Sequence, residues 1–130
     1  MRPHAKLGPI MGLAVAAAGA ASAQEAEPEA LVEALREGGH VLYLRHASTE
    51  TDYADQVEAE MGDCSTQRML SEEGWAEARA IGRAIARLGV PVGEVISSEY
   101  CRAWQTADLA FGRYEKTPAL NFAPAEEYSE

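Results

Sequence analysis

The sequence predicts an α/β protein with a mostly parallel sheet, and three features of its pattern support this class. Short runs of apolar and aromatic residues at 40–44 and 92–97 are typical of buried strands. Each run is followed along the chain by a helical pattern, and alternation of strands and helices is characteristic of parallel sheets. The composition is that of a globular chain, because 47% of the 130 residues are apolar and 25% are charged.

Residues 1–23 have the pattern of a secretory signal peptide. Arg2 and Lys6 precede the uninterrupted small and apolar run 10–21, and an Ala-Ser-Ala sequence ends the segment. We therefore expect cleavage there, a domain comprising residues 24–130, and export to the periplasm or the medium without stable membrane insertion. The alternative is a permanent N-terminal anchor, although a spanning helix needs about 20 apolar residues and this run is shorter.

Three helices are predicted after this segment. Pro28 begins the first, which extends to about residue 37 and ends at a Gly-Gly pair. The second has Ser71 as its N-cap and ends before Gly89. The third is predicted to begin at an N-cap, Ser98, and to end at Gly112. The apolar face of the second helix comprises Trp75, Ala78, Ile81, Ile85 and Leu88, at helical spacing.

The other segments have weaker patterns. Residues 51–63 are acidic and are predicted to form a loop, whereas residues 114–120 are predicted to form a third strand. Residues 121–130 have no recognisable periodicity.

The charge and the rare residue types exclude several classes of protein. The chain has 21 acidic and 11 basic residues, with a formal net charge of −10. Nucleic-acid binding and attraction to anionic lipid need a basic surface, so neither partner is expected. Two cysteines and three histidines are too few for a cysteine-rich scaffold or a multi-zinc module.

Basic residues and one histidine follow the predicted strands. Arg45 and His46 come directly after the first strand, and Arg102 lies in the first turn of the third helix. Because ligands bind beyond the carboxyl ends of parallel strands, we expect the three side chains to approach one another. Guanidinium groups and a helix N-terminus can hold phosphate, and a neutral imidazole can attack phosphorus. The alternative is an ion-pairing arginine beside a hydrogen-bonded structural histidine.

Three segments in this order resemble motifs of the histidine phosphatase (phosphoglycerate mutase-like) superfamily. Residues 44–49 (LRHAST) resemble its Arg-His-Gly signature, and residues 70–74 (LSEEG) resemble the entry to its first long helix. Residues 97–107 (SSEYCRAWQTA) resemble its Ser-x-x-x-Arg-Ala-x-x-Thr-Ala element. The resemblance spans residues 41–111. It implies a three-layer α/β/α fold with a mostly parallel sheet, a phosphatase reaction on a phosphate monoester, and no metal or organic cofactor.

The resemblance also implies roles for individual residues. His46 would be the nucleophile that forms a phosphohistidine, which water then hydrolyses. Arg45 and Arg102 would bind the transferring phosphoryl group, and Thr49 would add a hydrogen bond. Thr106 would be structural. We therefore expect a small phosphorylated molecule as the substrate.

The sequence departs from the family pattern at two places. Ala47 stands where glycine is usual, a change that a residue with negative φ tolerates. The family pocket uses a second histidine from a later strand, but none follows His46, and His40 lies about 20 Å away along the first strand. We expect a truncated member that is incomplete at its C-terminus; the alternative is a shortened, weakly active member. The missing histidine also supports a different function, a non-catalytic module that binds phosphate or a phosphorylated ligand.

Two pairs of residues have two interpretations each. Glu126 and Glu127 are candidate proton donors for the leaving group, or they belong to a solvated tail. Cys64 and Cys101 are expected to form a disulfide in an oxidising compartment, or they are two free thiols. A metal site is not expected, because the spacing of the cysteines and histidines is wrong for one.

Overall fold

Residues 27–122, the part of the chain that the computed structural model describes, contain three α-helices, two 3-10 helices and one short parallel sheet. In the sheet, Ile96 is opposite Glu115 and Ser97 is opposite Lys116. The chain is therefore α/β, as predicted, and a helix connects its two parallel strands. The elements are α1 (Pro28–Arg36), α2 (Glu72–Arg87), β1 (Ile96–Ser97), α3 (Cys101–Phe111) and β2 (Glu115–Lys116).

The helix ends agree with the sequence signals at most positions. The predicted cap of α2 is confirmed, because the Ser71 hydroxyl accepts the Gly74 N–H at 3.1 Å. The predicted cap of α3 is wrong: its N-cap residue is Tyr100, not Ser98. The Ser98 hydroxyl instead accepts the Tyr100 N–H at 3.2 Å, so it stabilises the turn that precedes the helix. The predicted end of α3 at Gly112 is confirmed.

The strand predictions are only partly right. Residues 40–44 pair with no other described strand, and Val41 is 96% exposed, so the predicted burial of this segment is wrong. Within 92–97 and 114–120, only two residues each form strand, and a 3-10 helix follows at Pro118–Leu120. A strand requires a neighbour for its N–H and C=O groups. The described part of the chain supplies residues 40–44 with no such neighbour.

Helices α2 and α3 pack against each other through small residues. Ala78 is fully buried between them, and a Cβ atom at Gly82 would collide with the backbone carbonyl of Ala110. Trp75 and Leu88, which were predicted on the buried face of α2, are 44% and 41% exposed. The small residues therefore bring the two helices into close contact, and the large apolar residues near the ends of α2 remain accessible.

The predicted loop at 51–63 is confirmed, because it contains no helix or strand. It leads into a 3-10 helix, Cys64–Thr66, which Asp63 caps through the Ser65 N–H at 3.0 Å. Cys64 forms a disulfide with Cys101, the first residue of α3, across a Cα–Cα distance of 5.8 Å. The disulfide therefore joins this loop to the start of α3.

No helix within residues 27–122 combines the length and the apolar character that a membrane crossing requires. The predicted signal peptide, residues 1–23, lies outside the described residues, as do Glu126 and Glu127.

Candidate functional site

His46 is partly buried, and the adjacent backbone determines which of its nitrogens carries the hydrogen. Its Nδ1 lies 2.8 Å from the carbonyl oxygen of Ala47. Because a carbonyl oxygen only accepts, Nδ1 donates, and Nε2 carries the free electron pair of the neutral ring. Among residues 27–122 no residue other than glycine has a positive φ, so the alanine at position 47 causes no backbone strain.

Three arginines act electrostatically on His46. Burial lowers the pKa of the imidazole, and the hydrogen bond to the Ala47 carbonyl opposes this effect. The positive charges of Arg102, Arg45 and Arg68 lower the pKa further. The net pKa lies below the usual 6.5, so the neutral form of the ring predominates at pH 7. The sequence pattern indicated Arg45 and Arg102 for this site, whereas Arg68 was not predicted.

Arg102 is buried in the first turn of α3, with 7% of its surface exposed. Its Nη1 lies 2.8 Å from Asp55 Oδ1, and its guanidinium carbon lies 4.5 Å from the centre of the Tyr100 ring. These two contacts fix the plane and one edge of the guanidinium. Since the group has five N–H donors, others remain for a bound anion.

Asp55 holds Arg102 from the loop. Its Oδ1 also accepts the backbone N–H of Arg68 at 2.7 Å. Burial raises the pKa of Asp55, but the hydrogen bonds from Arg68 and Arg102 and the charges of these arginines outweigh burial and bring it below 3.8. Asp55 is therefore ionised and acts as an acceptor. The sequence analysis missed it, because no local pattern distinguishes it from the other acids of residues 51–63.

Thr106 connects the two halves of the site. Its hydroxyl accepts the Ala47 N–H at 3.1 Å and donates to the Arg102 carbonyl oxygen, one helical turn earlier, at 2.7 Å. The residue is nearly buried, at 9% exposure. A single hydroxyl therefore joins the loop that carries His46 to the helix that carries Arg102.

Helix α2 fixes the same loop from the other side. Glu77 Oε2 accepts the backbone N–H of Ser48 at 2.8 Å and the Ser48 hydroxyl at 2.9 Å. These two hydrogen bonds lower the pKa of Glu77. A Cβ atom at Gly74 would collide with the carbonyl of Ser48, so glycine allows the helix to approach. Glu77 was not predicted for the site, because only the folded structure shows that it faces this loop.

Thr49 was expected to add a hydrogen bond to the phosphoryl group. Its backbone forms an antiparallel bridge with Leu70, and its hydroxyl has no hydrogen-bond partner among the described residues. Its contribution to phosphate binding stays a prediction.

Gln67 supports the start of α3 beside the disulfide. It is 2% exposed, and its Oε1 accepts the N–H of Cys101 at 2.8 Å. Its Nε2 donates to the Glu60 carbonyl at 2.8 Å, so it also holds the preceding loop. Across residues 27–122, no three His, Cys, Asp or Glu residues are grouped so that they could hold a metal ion.

Comparisons with known proteins match most of the described residues. A sequence model of the histidine phosphatase superfamily (branch 1) matches residues 41–121. A relative named serine/threonine-protein phosphatase Pgam5, mitochondrial, from Drosophila persimilis, is 33% identical over 86 residues, which are 65% of this chain and 27% of that protein. The protein of the same name from Drosophila willistoni is 30% identical over 90 residues, 68% of this chain and 28% of its own length. The chain thus spans little more than a quarter of these relatives. No solved structure matches.

Proposed function

Because the chain belongs to the histidine phosphatase superfamily, we propose that it hydrolyses phosphate monoesters through a phosphohistidine intermediate on His46. The observation that carries the proposal is a neutral imidazole, with a free electron pair on Nε2, in the field of three arginines. The positive charges attract a phosphate dianion, and the uncharged Nε2 is able to attack it.

The reaction has two steps. In the first, His46 Nε2 attacks phosphorus, the P–N bond forms, and the P–O bond to the alcohol breaks with its electron pair on the leaving oxygen, which takes up a proton. In the second, water attacks phosphorus, the P–N bond breaks, and orthophosphate and neutral His46 are released. Arg45, Arg68 and Arg102 stabilise the charge on the phosphoryl oxygens in both steps.

The proton for the leaving oxygen requires an acid. We assign this role to Glu126 or Glu127, both outside the described residues. Asp55 is unsuited to it, because its hydrogen bonds with Arg68 and Arg102 keep the carboxylate ionised.

The substrate proposed is a small phosphorylated molecule. The relatives are named as phosphatases of serine and threonine residues in proteins. Phosphoserine and phosphothreonine are also phosphate monoesters, so a phosphopeptide is the alternative substrate to compare. The net charge of −10 disfavours nucleic acids as substrates. Thr49 is proposed to contact the bound phosphate through its hydroxyl.

A wider fold and a cellular location accompany this function. The described helices and strands are proposed to form part of a three-layer α/β/α architecture. Residues 1–23 are proposed to be a signal peptide that directs export, and mass spectrometry of the exported chain should find a mature N-terminus at Gln24. Retention of residues 1–23 would contradict this proposal. The word mitochondrial in the name of the Drosophila relatives describes the location of those proteins.

A second candidate function is a phosphate-binding module without turnover. It is favoured by one observation, namely that residues 47–122, the described part of the chain after His46, contain no further histidine. In that case the arginines would bind phosphate, but none of these residues would supply a second imidazole beside the transferring group.

The two functions are separated by assaying the full chain with para-nitrophenyl phosphate and a phosphoserine peptide, together with calorimetry of orthophosphate binding. We expect turnover, and we expect His46→Ala to abolish it. His40 is an exposed histidine in the same segment, and His40→Ala should leave turnover unchanged. Phosphate binding without turnover would support the module. Absence of both binding and turnover would contradict both functions.

A further inference from the structure

We propose that Glu77 is a positioning residue for His46 and acts on it through the peptide group between Ala47 and Ser48. The inference rests on the proposed function, because orientation of the ring matters for catalysis only if Nε2 is the reacting atom. Glu77 lies on the exposed surface of α2 and does not contact the imidazole directly.

One peptide group has hydrogen bonds at both ends. The carbonyl oxygen of Ala47 accepts from His46 Nδ1 at 2.8 Å, and the N–H of Ser48 in the same peptide donates to Glu77 Oε2 at 2.8 Å. The peptide is planar and rigid, so its two hydrogen-bonding ends do not move independently. Fixing the Ser48 N–H therefore fixes the direction of the carbonyl to which the imidazole bonds.

The carboxylate also polarises this peptide. A hydrogen bond to an ionised acceptor is roughly twice as strong as one between neutral groups, and successive hydrogen bonds strengthen one another. Electron density moves toward the carbonyl oxygen, which becomes a better acceptor for the Nδ1–H of His46. Serine proteases place a carboxylate directly against the catalytic imidazole to select its tautomer. Here a peptide group stands between the carboxylate and the ring.

The approach of α2 is specific to this peptide. Ser71, Gly74 and Glu77 recur at spacings of three and share a face of the helix start. The Ser71 N–H donates to the Ser48 carbonyl at 3.1 Å, and Gly74 leaves space for that carbonyl. The Ser48 hydroxyl donates to the same oxygen of Glu77 as its N–H does, which orients the carboxylate. The N-cap residue and two residues of α2, each three positions apart, therefore meet one residue of the loop.

The test measures the tautomer of His46 in the full chain by ¹⁵N NMR of the histidine side chains, without substrate. We expect the Nδ1–H form to dominate in the wild type. Glu77→Ala should raise the ratio of the Nε2–H to the Nδ1–H form about fivefold. This is the change expected if the freed peptide no longer holds the hydrogen bond from His46 Nδ1. Glu77→Gln keeps an acceptor but loses its charge, so it should give a smaller rise of about twofold.

Two control variants separate orientation of the ring from general effects on the loop. Glu73 is another exposed glutamate of α2, one helical turn before Glu77, and it has no hydrogen-bonded partner among the described side chains. Glu73→Gln therefore removes the same charge as Glu77→Gln without removing a hydrogen bond. Ser48→Ala removes the hydroxyl that orients the carboxylate but keeps the backbone N–H, so it should raise the ratio less than Glu77→Ala does. Glu73→Gln should leave the tautomer ratio close to that of the wild type.

An unchanged ratio in both Glu77 variants would overturn the inference, as would a wild type in which the Nε2–H form dominates. If Glu77→Ala does not fold, as judged by its amide spectrum, Glu77→Gln alone decides. Because the measurement needs no turnover, its outcome is independent of the hydrolysis assay. Where turnover is found, Glu77→Ala should lower kcat about fivefold with little change in KM, since ring orientation affects attack more than binding.

Discussion

Thr106 Oγ1 accepts the backbone N–H of Ala47 at 3.1 Å, across 59 positions of the sequence. The hydroxyl of Thr106 also donates to the carbonyl oxygen of Arg102 at 2.7 Å. The loop that orients His46 and the helix that carries Arg102 are therefore held together by one nearly buried hydroxyl. The relative position of the imidazole and the guanidinium depends on this contact.

Replacing Thr106 by valine should destabilise the chain. Valine has nearly the same shape but leaves the Ala47 N–H without an acceptor, at a cost of about 1–3 kcal/mol in the free energy of unfolding. Urea unfolding followed by circular dichroism measures the loss. Thr106→Ser keeps the hydroxyl and should cost less; equal stability of the valine variant and the wild type would contradict the role of this hydrogen bond.

The ion pair between Asp55 and Arg102 should contribute to stability at neutral pH. Asp55→Asn removes the counter-charge of the buried guanidinium and weakens their charge-assisted hydrogen bond, so the free energy of unfolding at pH 7 should fall by about 2 kcal/mol. Asp52→Asn, an exposed acid of the same loop, is the matched control.

The same pair predicts a pH dependence. The pKa of Asp55 is lower in the folded than in the unfolded chain, so its contribution is complete above about pH 4 and is lost as the pH falls through the folded value. Urea unfolding between pH 2 and pH 7 should show a smaller decrease for Asp55→Asn than for the wild type. If the free energy of unfolding fell by the same amount in both proteins, the predicted contribution of the Asp55–Arg102 ion pair would be wrong.

His46 should titrate below 6.5 in the folded chain, because burial and the charges of Arg102, Arg45 and Arg68 disfavour the imidazolium. As the pH falls below 6.5, His46 therefore binds a proton in the unfolded chain before it does so in the folded chain. The free energy of unfolding decreases between pH 6.5 and the lower pKa of the folded chain. Arg102→Gln should raise the pKa of His46, whereas Arg83→Gln, an exposed arginine of α2, should not. Proton NMR titration of the histidine rings provides the measurement, and an unchanged pKa in Arg102→Gln would place the guanidinium too far away to act.

Reduction of the Cys64–Cys101 disulfide should destabilise the chain by about 2–4 kcal/mol, since the bond closes a loop with a sequence separation of 37. It should also weaken orthophosphate binding, because Cys101 directly precedes Arg102. Urea unfolding and calorimetry, each with and without dithiothreitol, test both effects. A Cys64→Ala/Cys101→Ala variant should be insensitive to the reductant, and equal sensitivity of both proteins would show that the reductant acts elsewhere.

Local signals predicted the helices better than the strands. The second helix could be located from Ser71 at its start and Gly89 beyond its end, because capping and periodicity are properties of neighbouring residues. Residues 40–44 have the composition of a buried strand, but burial of a strand depends on partners distant in sequence. The described part of the chain gives this segment none, so Val41 and Tyr43 are exposed.

Sequence motifs indicated part of the candidate site. Arg45, His46 and Arg102 belong to sequence motifs, and the charges of both arginines act on the imidazole. Asp55 and Glu77 act on these residues through contacts across 47 and 29 positions of the chain. Nothing in their immediate sequence distinguishes them from other acids in a chain with 21 of them.

The acceptor that orients His46 belongs to the main chain, which affects how the site tolerates variation. Position 47 is already alanine, and alanine at position 48 keeps its backbone N–H, so alanine scanning across the two positions would overlook this acceptor. Removing the adjoining donor requires either proline at position 48, which has no backbone N–H, or an ester bond in place of the amide. The orientation of His46 therefore depends on Gly74 and Glu77 of the facing helix, while burial at 4% exposure restricts position 47 to a small residue.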